Sequence, residues 1–451
     1  MVRRLYSSCA AYPSLMGKLQ KPRRRKEDIM TSRERLIKTL NHQDPGQVVV
    51  DLGSTAITGI NANALYRLRN ALGLENRPVK ISEPLQLLGM VEEDLRQALH
   101  IDVVDITNNM TMFGFENKGW KPFRLQTGLD VEVPEDFNTS VDEDGKTYLY
   151  AQGDMNYPPA SVMPKDGHYF DHIVRGNIEF DENTGTGRED FKDDFGLLTD
   201  RQLRFLEDRC NDFYNNTGYG MIGGGALAGL GDFALIPGPN VKAPKGIRDI
   251  PDFMMAHIIC PSYIHEIYEM QTETAIENAK LFKQACGDKI QAIIISGTDF
   301  GTQNGPFMSL ENFREFYKPY YRKLNDWVHK NTNWKTFYHT CGSVVNFLQD
   351  FHEMGVDILN PVQLSAAGMD AKMLKEQWGG KFTFWGGGVD TQKTLPFGTP
   401  QEVYDQVMQR LRLFAPGGGY VFNPVHNIQG PTAAENMLAM FRAVEDFNNG
   451  C

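Results

Sequence analysis

The stretch Lys335-Thr-Phe-Tyr-His-Thr-Cys-Gly342, followed after an amphipathic run by Val356-Asp-Ile-Leu359, decides the fold. A β-branched and aromatic run, a segment with one apolar face and a second short apolar run make strand, helix and strand, the repeating unit of a parallel sheet. The same beat extends in both directions. Predicted strands at 292–295, 335–338, 356–359, 382–385 and 420–422 alternate with predicted helices at 310–329, 344–354, 371–378, 399–414 and 433–447. In the fourth of these helices Val403, Val407, Leu411 and Phe414 share one face, the helical period.

Upstream, 48–52, 103–106 and 220–222 are the remaining strand candidates, which brings the number to eight and predicts a closed (β/α)8 TIM barrel. An open doubly wound sheet is the alternative. A long helix over 262–286, with Ile264, Tyr268, Ala275, Ala279 and Phe282 on one side, packs outside in either case. Residues from about 115 to 190 break the beat with short strand-like pieces and the turn Asp142-Glu-Asp-Gly145. They read as an inserted β-hairpin region, either a lid over the active face or a surface ornament.

Composition bounds the function. The chain has 451 residues, 41% hydrophobic and 23% charged, with no apolar run of membrane-span length. Six scattered cysteines argue against a disulfide framework and for a reducing, cytoplasmic setting. Residues 1–29 hold eight Lys or Arg against one Glu and one Asp, a net +6, so the rest carries −17 of the formal net −11. An acidic body disfavours nucleic acid as a partner. Met30-Thr-Ser-Arg-Glu-Arg-Leu reads as a helix start, so the basic lead is expected to be a disordered extension and 30–451 the barrel.

Strand ends in such a barrel share one mouth. His339 and Cys341 are two apart at the end of a strand, so imidazole and thiol point to one side. Asp299 follows the preceding strand, Asn360 and Gln363 the next, Asp390 the one after, and His426 the last. His339, Cys341 and His426 would bind zinc and leave one coordination position open, the pattern of a catalytic site. With one thiolate and two neutral imidazoles the ion keeps about +1 of charge and remains a Lewis acid.

These motifs resemble the uroporphyrinogen decarboxylase superfamily, in particular its zinc-dependent, cobamide-linked methyltransferase branch. The resemblance rests on Ser32-Arg-Glu-Arg-Leu-Ile-Lys-Thr-Leu, Asp299-Phe-Gly-Thr-Gln303, His339-Thr-Cys-Gly342, Gly355-Val-Asp-Ile-Leu-Asn-Pro-Val-Gln363, Gly398-Thr-Pro-Gln-Glu-Val403, and Pro431 with Glu435-Asn436. It implies the barrel and carries the metal role onto His339 and Cys341. Two departures place the chain within it. Where the decarboxylase has an Arg-rich loop for its substrate's carboxylates, this chain has Asp51-Leu-Gly-Ser-Thr-Ala-Ile-Thr. Where coenzyme-thiol methyltransferases have a third ligand Cys, this chain has His426, which raises the charge of the site and suits it to activating a methyl donor.

The resemblance therefore implies transfer of a methyl group between a small methylated substrate (methyl ether, methylamine or methylthiol type) and a corrinoid protein. Zinc is the expected resident metal, and the corrinoid (cobamide) arrives on the partner, with the acidic body part of that contact. Asp299 is assigned to orient or protonate the leaving atom, with a structural cap as the alternative. Gln363, where related zinc methyltransferases can place an acidic ligand, is counted with Asp299 in the catalytic set as a residue around the metal rather than on it, and Asp51, Gln303, Asn360 and Asp390 are assigned to substrate binding. A homodimer is left open. A uroporphyrinogen decarboxylase of porphyrin biosynthesis and a non-catalytic ligand-binding member of the superfamily are the competing readings.

Two further motifs are set aside. Asp350-Phe-His-Glu-Met-Gly355 matches a cobalt-ligating signature, yet His352 falls on a predicted helix and no serine follows Ser365. The glycine-rich run from Gly223 to Gly231 lacks a following Lys-Ser/Thr and reads mainly as a loop at the mouth rather than a phosphate cradle.

Overall fold

In the computed structural model, which describes residues 30–225 and 227–450, the eight short apolar runs pair side by side in parallel. The strands are β1 (Val49–Val50), β2 (Val103–Ile106), β3 (Gly220–Gly223), β4 (Ala292–Ser296), β5 (Lys335–His339), β6 (Ile358–Asn360), β7 (Thr383–Trp385) and β8 (Tyr420–Phe422). Their order, β1-β8-β7-β6-β5-β4-β3-β2, is that of a (β/α)8 barrel nearly closed on itself. At the seam between β1 and β2 a side chain completes what the ladder lacks. Asp102 N–H donates to the Val50 carbonyl (2.8 Å), and the Asp102 carboxylate accepts from Val50 N–H (2.9 Å) and from Ser32 Oγ (2.6 Å) and Arg35. Buried backbone groups are thereby paired without a full strand ladder.

Alternate strand residues fill the barrel: Val49, Val103, Ile222, Ile294, Phe337 and Trp385 form one apolar cluster. Leu36 and Leu40 join it from the helix Ser32–Leu40, whose start is fixed by a Thr31/Glu34 capping box. This helix plugs the end where strands begin. A side chain on Gly220, at the start of β3, would lie 2.5 Å from Leu36 Cδ2. Polar residues are left to the opposite mouth. Outside, Pro261–Cys286 buries Ile264, Tyr268, Ala275, Ala279 and Phe282, as its periodicity predicts.

Three local differences from the sequence reading have physical causes. The predicted helix 310–329 is two, Leu310–Phe316 and Lys318–Asn331, with Tyr317 (φ −117°, ψ −52°) between them. Pro319 stands in the first turn of the second, the one place where its missing N–H costs a helix nothing. The predicted helix 344–354 begins as a 3-10 turn, Val345–Phe347, before Leu348–Glu353, and His352 is on that helix. Third, the insertion builds two small sheets. Thr139–Val141, Thr147–Leu149, Ser161–Met163 and Asp171–His172 form an antiparallel meander. The hairpin Lys121–Arg124/Asp130–Val133 instead pairs with Val79–Glu83, a strand missed in the sequence because its apolar face is covered only when the hairpin docks. No helix among the described residues is long and apolar enough to cross a membrane. The basic lead, 1–29, and residue 226 lie outside the described residues.

Candidate metal centre

The loop after β5 is held against the loop after β4 by hydrogen bonds from a backbone N–H on each side. Phe300 N–H donates to Thr340 Oγ1 (2.9 Å) and Ser343 N–H to the Thr302 carbonyl (2.8 Å). Gly342 makes this possible: its φ is +82°, and a side chain there would lie 2.3 Å from the Gly301 carbonyl. Cys341 is thereby turned back over His339.

One potential ligand atom from each of His339, Cys341 and His426 lies within 4.8 Å of the others. Cys341 Sγ is 3.4 Å from His339 Nε2, and the two imidazoles meet at 5.4 Å between centroids, inclined by 69°. Asn360 sets which nitrogen of His339 faces the mouth. Its Nδ2 donates to the Trp385 carbonyl (2.7 Å), so its Oδ1 faces His339 Nδ1 (2.5 Å), which must carry the proton. The Nε2 lone pair is left for the site, the arrangement seen at metal-ligating histidines.

Electrostatics fit a cation. Burial lowers the pKa of His339 and of His426 to about 4, so both are neutral imidazoles at pH 7. Burial, reinforced by Asp299, pushes the Cys341 thiol well above its usual range. Among the described residues, no lysine or arginine lowers the pKa of Cys341 or Asp299. A thiolate here therefore needs a positive charge that the described residues do not supply, and two imidazoles and a sulfur are a donor set suited to zinc.

The other predicted residues fall in different places. Asp299 Oδ1 accepts from Cys341 N–H (2.6 Å) and lies 3.9 Å from His339 Nε2; burial raises its pKa, against that hydrogen bond. Gln363 Oε1 accepts from Gly342 N–H (2.8 Å), and its Nε2 donates to Gln303 Oε1 (3.0 Å), so these two glutamines brace the Cys341 loop. Asn360 is fully buried and supports His339. Asp51, also fully buried, accepts from Trp385 Nε1 (2.8 Å) and Ser54 N–H (3.2 Å). Asp390 turns its carboxylate onto the amides of Gln392 (2.7 Å) and Lys393 (3.0 Å).

One acidic residue was not singled out in the sequence. Asp232 ends the glycine-rich loop after β3, with Oδ1 accepting from Ala234 N–H (2.9 Å) and Oδ2 3.2 Å from where a side chain on Gly297 would begin. Burial, with the charge of Asp299, raises its pKa to about 7. Asp299 is three residues past the end of β4, whereas Asp232 is nine past the end of β3, so the strand-end rule that located the first does not reach the second. Three of the loop's amides are taken up by the protein itself: Leu227 and Ala228 donate to the Ile294 and Ile295 carbonyls, and Leu230 donates to Tyr321 Oη.

Residues 243–447 match the uroporphyrinogen decarboxylase (URO-D) family model, a span that takes in β4 to β8 and all three potential ligands. The match supports the URO-D superfamily. Among solved structures, a methyltransferase from Methanosarcina mazei is similar over 93% of this chain and 99% of its own, with a TM-score of 0.52 and 17% identity. At that identity the likeness is one of fold. No curated protein matches the chain.

Proposed function

We propose that this chain is a zinc-dependent methyltransferase that moves a methyl group between a small methylated substrate, of the methyl ether, methylamine or methylthiol type, and a corrinoid protein. The observation that carries the reading is the convergence of His339, Cys341 and His426 within 4.8 Å at the mouth of a barrel whose second half matches the URO-D family. Zinc held there supplies Lewis acidity, which makes the atom that loses its methyl group a better leaving group.

The chain's own groups supply orientation and a proton. Asn360 keeps Nε2 of His339 available, while Gln363 and Gln303 hold the turn that carries Cys341. Burial raises the pKa of both Asp299 and Asp232, the latter to about 7, which favours the protonated carboxyl at the mouth. When the methyl group leaves, the electron pair of the broken bond stays on the heteroatom, and Asp299 donates the proton that it takes up. The decarboxylase reading lacks its anchor: at the place of the Arg-rich loop stands Asp51, whose carboxylate points into the protein interior.

The test is methyl transfer from methyl ethers, methylamines and methylthiols to reduced free cobalamin, followed by cobalamin absorbance. Wild type is expected to methylate cobalamin from one donor class, and Asp299→Asn to be slower by about a hundredfold or more, the usual worth of a general acid. Metal-independent decarboxylation of uroporphyrinogen, without methyl transfer, would contradict the proposal.

A further inference from the structure

Between the inserted meander and the barrel mouth runs a groove of ≈ 470 Å³, within the size range of small-molecule sites. Tyr169, Phe170 and Val174 of the insertion form one wall, and Phe233 and Ile250 belong to the segments after β3 that form the other. The insertion is pinned there, since Phe170 N–H donates to the Leu85 carbonyl (2.8 Å).

Two contacts tie this groove to segments that carry residues of the site. Gln86, which also lines it, accepts through Oε1 from Nδ2 of Asn427, the neighbour of His426 (3.1 Å). Phe233 directly follows Asp232 and meets Phe307, in the loop beyond Asp299, edge-on at 5.1 Å.

The charge of the groove has one sign. Among the described residues that line it, Asp171 and Asp249 are acidic and none is lysine or arginine. His172 is on the wall with Nδ1 against Ser161 Oγ (2.9 Å), and burial lowers its pKa to about 4, so it adds no charge at pH 7. Arg175, nearby in the chain, directs its guanidinium to the carbonyls of Gly238 (2.7 Å) and Lys242 (3.2 Å). A carboxylate entering the groove would lose water, meet aspartates and find no cation.

We infer that this groove seats the organic part of the methyl donor, and that the donor is a flat, apolar molecule without a carboxylate whose methyl-bearing end reaches the metal centre. The role of the ligand rests on the methyl-transfer reading. Its binding needs neither metal nor turnover.

The test is calorimetric titration of the full chain with methoxybenzene and with para-methoxybenzoate, for wild type, Val174→Arg and Asp171→Lys. Val174 is 43% exposed and Asp171 is exposed, so both variants keep the fold. Wild type is expected to bind the neutral probe about tenfold more tightly than the anion. Val174→Arg should weaken the neutral probe and, like Asp171→Lys, strengthen the carboxylate. Equal binding of both probes by wild type, or affinities unmoved in both variants, would overturn the inference. Folded wild type that keeps the selectivity but takes up no zinc when zinc is added supports the groove and removes the metal reading. Zinc-replete wild type that ignores both probes overturns the groove and leaves the metal reading standing.

Discussion

Asn360 illustrates how a residue's job can differ from the one its position suggests. It follows a strand end and so reads as a substrate contact, yet both ends of its amide are engaged, one by the Trp385 carbonyl and one by His339. Replacing it with Leu removes the acceptor that fixes the His339 tautomer. Zinc affinity, read by competition with a chelator, should fall by about 10–100-fold, the usual worth of such a partner. An unchanged affinity would mean that His339 is oriented by other contacts. The convergence of His339, Cys341 and His426 was legible because barrel strands aim their ends at one place. Asp232 was not, because the glycines before it drew attention to backbone rather than to the carboxylate at the end of the run.

At the scale of elements, Tyr321 ties the loop after β3 to the loop after β4. Its hydroxyl meets Leu230 N–H (3.1 Å), Ser296 Oγ (2.6 Å) and Thr298 Oγ1 (3.0 Å), and Thr298 Oγ1 donates to the Leu230 carbonyl (3.0 Å). Asp232 and Asp299 are on the two segments so joined. Tyr321→Phe leaves a buried amide unpaired and should cost about 1–3 kcal/mol, measured by urea denaturation. A stability equal to wild type would show that the hydroxyl is not a tie. All eight barrel strands were readable from short apolar runs, since parallel strands are buried on both faces. The strand Val79–Glu83 was not, because its partner Asp130–Val133 comes from the insertion, far along the chain. Nor was the break at Tyr317, where the apolar period continues across the two helices.

At the scale of the whole molecule, buried ionisable groups couple folding to pH in opposite senses. Burial lowers the pKa of His257 to about 4, while its Nδ1 faces the Phe253 carbonyl (3.0 Å) and its Nε2 faces the hydroxyls of Tyr268 (3.2 Å) and Tyr317 (3.1 Å). An unfolded histidine takes up a proton below about 6.5. Between about 6.5 and 4 the unfolded chain thus binds more protons, and the contribution of His257 is full above that window and lost as pH falls through it. Asp51, raised to about 6, and Glu83, raised to about 7, act in reverse: their contribution is present at low pH and lost as pH rises through those values.

Because the two sets oppose each other, His257 is read as a difference. The stability gap between wild type and His257→Gln should shrink by on the order of 3 kcal/mol from pH 7 to pH 4, at ~1.4 kcal/mol per pH unit. A gap constant with pH would show that His257 is not held neutral. The barrel itself follows from local sequence, whereas the groove beside its mouth depends on an insertion that packs on the segments around Leu85 and Phe233.

The central claim is a metal centre made by three side chains from two strand ends. Elemental analysis of the purified chain, wild type beside His339→Ala, Cys341→Ala and His426→Ala, tests it most directly. The account predicts about one zinc per wild-type chain, lost or sharply weakened in each variant while the fold persists. A folded wild-type chain that is free of zinc and does not take it up when zinc is added would contradict it.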